Sequence, residues 1–168
     1  KDLMRQAIAQ VEAELGKEYP LVIGDEQVFT KDKIVSTNPS DIQQIIGVTA
    51  KADRDLAAQA VEAANQAFLE WQHVSADVRA RYLIKLAAEM RRRKFEFSAW
   101  MVLEIGKSWA EADADVAEAI DFLEYYARDM LRLSLPMNLT PWIGEENWAT
   151  YIPLGVGAVI PPWNFPLA

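Results

Sequence analysis

Two adjacent prolines near the carboxyl end place the tightest limit on what this chain can fold into. Residues 151–168 read YIPLGVGAVIPPWNFPLA. Within them Val156, Ala158, Val159 and Ile160 form a short apolar run after a glycine-rich approach, the pattern of a strand covered on both faces in a parallel sheet. Pro161 and Pro162 end that strand, because each lacks the N–H that a strand interior donates and each fixes its own φ. The chain must then turn at the carboxyl end of a buried strand, the edge at which open α/β sheets hold ligands, and it presents Trp163, Asn164 and Phe165 there. Pro166 suits the first position of a following helix. A strand of this kind needs further sheet around it.

Charge and cysteine usage narrow the chemistry. Lys and Arg number 17 against 25 Asp and Glu, and the net charge of −8 argues against nucleic acid or an anionic membrane as partner. The basic cluster Arg91, Arg92, Arg93, Lys94 sits near the middle of a helical pattern between acidic residues, so it reads as a solvated face or a source of salt bridges. With no cysteine and one histidine, His73, the chain can build neither a Cys-His pair nor a thiolate or His-rich metal site. No apolar run approaches about 18 residues and no signal-peptide pattern opens the chain, so a soluble, cytoplasmic protein is expected. A start at Lys1 rather than Met leads us to expect residues upstream. A length of 168 residues at 51% hydrophobic content suits one core, as one domain or a piece of a larger one.

In chain order, Asp2 to Lys17 is expected to be an amphipathic helix, with Leu3, Ile8, Val11 and Leu15 at helical spacing and Gly16 near its end. Leu21–Ile23 and Gln27–Phe29 read as two strands about a turn at Gly24, Ile34–Ser36 as a third, and Gln43–Val48 as a fourth, together a small antiparallel subassembly. Helices follow. Asp53 can cap one whose stripe is Val61, Ala64, Phe68 and Trp71, and Ser75 a second with Val78, Tyr82, Leu86 and Met90 buried. A third from Phe95 to Ile105 is closed by Gly106. Ser108 and Glu111 form a capping box for a fourth, running to about Arg132 with Ala112, Val116, Ile120, Leu123, Ala127 and Met130 packed. Its other side carries Glu111, Asp115 and Glu118 beside Phe122 and Tyr125. That reads as a solvated face, since no second acidic helix or histidine completes a metal site. Met137 to Leu154 reads as two extended segments about a turn, and Trp142, Trp148 and Tyr151 carry enough apolar area to point to self-association, a hairpin folded on its own domain being the other reading.

The string Pro162-Trp163-Asn164-Phe165-Pro166 resembles the strand-end motif of the NAD(P)-dependent aldehyde dehydrogenase superfamily. The residues alone leave Asn164 open between an Asx turn and a ligand contact. The resemblance implies that the Asn164 amide donates to the oxyanion that forms when a thiol adds to an aldehyde, where one fixed donor contributes roughly 3 kcal/mol. It also implies that Ile160, Pro162 and Trp163 lie near the nicotinamide of NAD. Tyr19–Gly24, Ser36–Pro39, Arg91–Lys94, Glu104–Lys107 and Ala114–Phe122 are similar to the branch of that family that oxidises L-glutamate γ-semialdehyde to L-glutamate, the second step of proline catabolism. On that resemblance Glu118 lies near the substrate and Phe165 packs against its methylenes, while the 137–154 hairpin joins a neighbouring subunit in a homo-oligomer.

The implied architecture is α/β: strands and long helices over 1–136, an oligomerisation hairpin over 137–154, and over 155–168 the first strand and active-site turn of a dinucleotide-binding parallel sheet. Gly155-Val156-Gly157 precedes its strand and so is not the phosphate-binding fingerprint, which follows one. Family members are roughly three times longer and carry the thiol and the general base elsewhere, so this chain is expected to be an amino-terminal portion, inactive alone. An aldehyde dehydrogenase of other specificity and a non-catalytic helical interaction module are the alternatives.

Overall fold

The computed structural model describes residues 1–168. It opens with helix α1 (Asp2–Glu12), shorter than expected. The chain turns at Gly16, with φ 78°, and its N–H donates to the carbonyl of Ile46. Lys17–Tyr19 then forms β1 instead of a last helical turn. Next come the hairpin strands β2 (Leu21–Ile23) and β3 (Glu26–Val28), then β4 (Lys33–Asn38) and β5 (Asp41–Ala50). The expected all-antiparallel assembly is corrected here. β1 joins β5 in parallel, β4 joins β5 antiparallel, and the β2–β3 hairpin stands apart. Pairing with a waiting edge of β5 outweighs the helical preference of Lys17 and Glu18, which no local pattern announces.

Four helices follow: α2 (Arg54–Trp71), α3 (Ala76–Arg92), α4 (Lys94–Ile105) and α5 (Trp109–Leu133). Their starts obey local chemistry, since Asp53 accepts from the Leu56 N–H and Ser75 from the Val78 N–H. The capping box of α5 is complete: the Ser108 hydroxyl accepts from the Glu111 N–H, and the Glu111 carboxylate accepts from the Ser108 N–H. The basic cluster proves to straddle a junction, not a helix centre, because Arg93 ends α3 and precedes α4. All four of its residues are ion-paired, Arg91 to Glu124, Arg92 to Glu89, Arg93 to Glu96 and Lys94 to Asp113.

Helix α4 sits between two small cores. On one side Ala99 and Leu103 meet Ala7, Val11 and Ile46 of α1 and β5. On the other Met101 meets Ala87 and Met90 of α3 and Ala112, Val116, Ala119 and Ile120 of α5. A helix apolar nearly all round is suited to that double burial. Two expected stripes need correction. Of Val78, Tyr82, Leu86 and Met90, only Met90 is buried; the alanines Ala80 and Ala87 are buried instead, and Ala87 packs in the core shared with α5, where a small side chain lets two helices approach closely. Helix α2 buries nothing, and Val61 and Trp71 of its stripe are exposed, since nothing in these residues covers that face.

Beyond α5 a hairpin of β6 (Met137–Asn138) and β7 (Trp148–Ala149) pairs antiparallel, with Trp142, Ile143 and Trp148 exposed. The strand expected over 156–160 is not formed. Residues 150–162 have no regular structure, and Val159 and Ile160 are about nine-tenths exposed (90% and 89%). A strand is held by a ladder, and no neighbour here supplies one. The consequence is visible in total area. A compact 19.0 kDa protein exposes about 8,400 Å², whereas this chain exposes 12514 Å².

Two measurements test this account. Ser108→Ala removes the cap of α5 and should lower unfolding stability by about 1 kcal/mol, read as a shift in urea midpoint. Glu89, Glu96 and Glu124 are held below the ordinary carboxylate range chiefly by hydrogen bonds from Arg92, Arg93 and Arg91. Depressed carboxyls lend stability above their unfolded pKa and lose it as pH falls through the folded value. The melting temperature should therefore drop once pH goes below about 4.5, and high salt should shrink the effect because these groups are partly open to solvent. A melting temperature flat across that range would contradict it.

Candidate active-site turn

The site is built from the corner between α4 and α5 and the last residues of the chain. Gly106 ends α4 in the left-handed region, φ 72°, and a side chain there would also press on Pro39, whose Cγ lies 3.1 Å from the position of a Cβ. With Gly106 on one side and the Ser108 cap on the other, the backbone of Lys107 has little freedom. Its ammonium lies 2.6 Å from Oδ2 of Asp115 and 4.4 Å from the centre of the Phe165 ring. The other carboxylate oxygen of Asp115, Oδ1, accepts from the Ala168 N–H at 3.0 Å. Leu167 and Ala168 pack on the core of α3, α4 and α5. Together with Leu83, Leu86, Met90, Phe122, Leu123 and Tyr126 they line a wholly apolar groove of about 370 Å³.

The turn that carries the motif is closed by the Phe165 N–H donating to the Pro162 carbonyl at 3.4 Å, with Trp163 and Asn164 between them. Both are exposed. The Asn164 carboxamide enters no hydrogen bond within the chain, so the Asx-turn reading has no support and its N–H groups stay available. Phe165 keeps 44% of its surface open beside the bound ammonium. Ile160, Pro162 and Trp163 lie on the same exposed stretch as Asn164. They offer an apolar and aromatic edge that fits the flat nicotinamide of NAD, and no charged group or amide cradle for its pyrophosphate.

The acidic face of α5 differs from the expected solvated row. Glu111 is consumed by its cap, where hydrogen bonds from the Ser108 hydroxyl and N–H hold its carboxyl low. Asp115 is 2% exposed and ion-paired. Glu118, one turn further on, is exposed and joins no ion pair. Of the three carboxylates it is the one left free to meet a cation. Phe165 is thus brought beside Lys107, whose partner Asp115 lies on the helix that carries Glu118, while no hydrogen bond joins Glu118 to Asn164. Lys107 and Asp115 were not among the expected site residues. The signal that could have found them is spacing across the cap: with Trp109 as the first helical residue, Ser108, Glu111 and Asp115 follow one another on one face, and Lys107 directly precedes it.

The aldehyde dehydrogenase family profile matches residues 28–168. The 1-pyrroline-5-carboxylate dehydrogenase of Geobacillus thermodenitrificans is 56% identical over 164 residues, which is 96% of this chain and 32% of that protein. A crystal structure of 1-pyrroline-5-carboxylate dehydrogenase from Thermus with bound NAD superposes with a TM-score of 0.94 at 51% identity, covering 99% of this chain and 32% of that one. The structure of proline utilization A from Bdellovibrio bacteriovorus superposes at 0.96 with 41% identity, over 99% of this chain and 17% of its own. The chain therefore spans about a third of the length of the curated relatives it matches. None of its helices is long and apolar enough to cross a membrane.

If Gly106 fixes this corner, Gly106→Ala should cost about 1–2 kcal/mol for the left-handed backbone alone. The contact with Pro39 adds to it. Urea unfolding of the variant reads the loss directly, and an unchanged midpoint would show that the corner tolerates another backbone path.

Proposed function

Because this chain belongs to the aldehyde dehydrogenase family, we propose that it is the amino-terminal portion of an NAD-dependent enzyme that oxidises L-glutamate γ-semialdehyde to L-glutamate, the second step of proline catabolism. The observation that carries this reading is the Asn164 carboxamide. It stands exposed and unengaged in a turn closed on Pro162, within a chain whose similarity to 1-pyrroline-5-carboxylate dehydrogenases runs almost end to end.

The roles follow from chemistry. An attacking thiol turns the aldehyde oxygen into an oxyanion, and the Asn164 amide donates to it, uncharged and already in place. The thiol comes from outside these residues, which contain no cysteine. NAD, when bound, supplies the hydride acceptor, and Ile160, Pro162 and Trp163 would hold its nicotinamide end. Glu118 offers an unpaired carboxylate to the α-ammonium of the substrate, and the open part of the Phe165 ring offers apolar contact to its methylenes. A neutral aldehyde needs no such carboxylate.

The unformed strand agrees with this reading. Within it residues 156–160 are the first strand of the cofactor-binding sheet of a longer protein, an assignment supported by the likeness to the Thermus enzyme over 99% of the chain. In the same reading residues 1–136 belong to the cofactor-binding domain. The 137–154 hairpin, with Trp142, Ile143 and Trp148 exposed, joins a second subunit of a homo-oligomer. We place the enzyme in the cytoplasm.

In the intact enzyme Asn164→Ala should lower kcat on the order of 100-fold, the loss of one oxyanion donor, while the 168-residue chain alone should turn over no semialdehyde. Steady-state NADH formation measures both. Glu118→Gln should lower kcat/KM for glutamate semialdehyde at least about tenfold relative to a neutral aldehyde of the same length, the difference expected of one charge-assisted contact. An equal effect on both substrates would remove the amino-acid aldehyde from the proposal and leave the family chemistry standing.

A further inference from the structure

We infer that Lys107 and Asp115 are positioning residues for the reaction: they fasten the turn that carries Asn164 and Phe165 to the first turns of α5, and so hold the carboxamide where the aldehyde oxygen gains charge. The inference rests on the oxyanion role of Asn164 proposed above.

Asp115 is an expensive residue to keep where it is. A carboxylate that is 2% exposed loses its hydration, and pairing with a lysine recovers that loss only when geometry and further hydrogen bonds are good. A methionine and a leucine would fill the same space without the penalty, so stability alone gives a weak account of the pair. What it does instead is specific. One carboxylate oxygen takes the Lys107 ammonium at 2.6 Å and the other takes the Ala168 N–H at 3.0 Å, a charge-assisted bond to backbone 53 residues away in sequence. The same ammonium lies 4.4 Å from the centre of the Phe165 ring, within range of a cation–π contact.

The segment is therefore anchored at two places, Phe165 by its ring and Ala168 by its N–H, and the turn is closed on itself by the Phe165 N–H donating to the Pro162 carbonyl. Asn164 lies inside the closed turn, one residue from the ring contact. Nothing else attaches it, because its own side chain bonds to nothing in the chain. The anchor end is equally fixed, with Lys107 set between the left-handed Gly106 and the Ser108 cap. Rigidity thus passes from the helix corner to a residue that has none of its own. A catalytic donor must be held to within about half an ångström, and a displacement of about 1 Å can cost on the order of 100-fold in rate.

The test is a double-mutant cycle in the intact enzyme, with Lys107→Met and Asp115→Leu made together so that no charge is left buried and unpaired. In the otherwise wild-type enzyme this pair should lower kcat by roughly 10- to 100-fold, with the circular dichroism spectrum unchanged. In the Asn164→Ala background the same pair should lower kcat by less than about threefold, since a donor that is absent cannot be misplaced. An equal fall in both backgrounds, or no fall in the first, overturns the positioning role. If the pair prevents folding, Asp115→Asn is measured in both backgrounds against the same criterion, and failure of that variant to fold assigns the pair to the scaffold and also overturns the inference. A wild-type enzyme that does not oxidise the semialdehyde, or an Asn164→Ala variant with full turnover, would instead sink the proposed function.

Discussion

The double burial of α4 is the constraint on which the rest of this structure depends. Ala99 and Leu103 belong to one core and Met101 to another, so a single helix of 12 residues closes both. Helix α1 packs on α4, and α5 packs on both α4 and α3. Where α4 ends is then a structural decision with chemical effects. The left-handed turn at Gly106 sets the direction of Lys107 and the start of α5, and from these two the placement of Asp115, Glu118 and the final turn follows. The pocket chemistry is tied to helix packing by a chain of short links, each of them local.

The surface tells a second story. Apolar side chains that a closed domain would hide are exposed on several elements, and three of these surfaces are the stripe of α2, the β6–β7 hairpin, and residues 152–163. Isolated exposed hydrophobics are ordinary, while contiguous ones mark surfaces that meet something. These three are also where the proposed enzyme needs partners, namely the remainder of the subunit, a neighbouring subunit, and the sheet that holds the cofactor. The area in excess of a compact globule and the functional reading thus have one explanation.

Legibility in the sequence followed the range of the interaction. Helix starts at Asp53, Ser75 and Ser108 and the stop at Gly106 were readable because a cap is decided within three or four residues. The motif around Asn164 was readable because prolines fix backbone without help from afar. Interactions decided at a distance were not. Lys17–Tyr19 became a strand because β5 lay beside it. Burial on α3 fell largely to alanines because only the partner helix reveals which arc it will touch. Asp115 looked like one more acid on a wet face, since its lysine lies across a cap and its second partner is the N–H of Ala168. Spacing alone cannot separate a paired carboxylate from a solvated one.

The unpaired run at 156–160 has a consequence for how such a protein is made. In the enzyme proposed above, this segment is an apolar edge open to the wrong neighbour until the strand that lies beside it has been made. Cross-β stacking is favoured by runs of about six or seven residues without proline. Here Pro153 stands before the run and Pro161 and Pro162 directly after it, leaving seven residues from Leu154 to Ile160, of which Gly155 and Gly157 are two. The prolines that flank this segment and the two glycines inside it act against such stacking, so the residues that present the carboxamide also guard the apolar stretch before them.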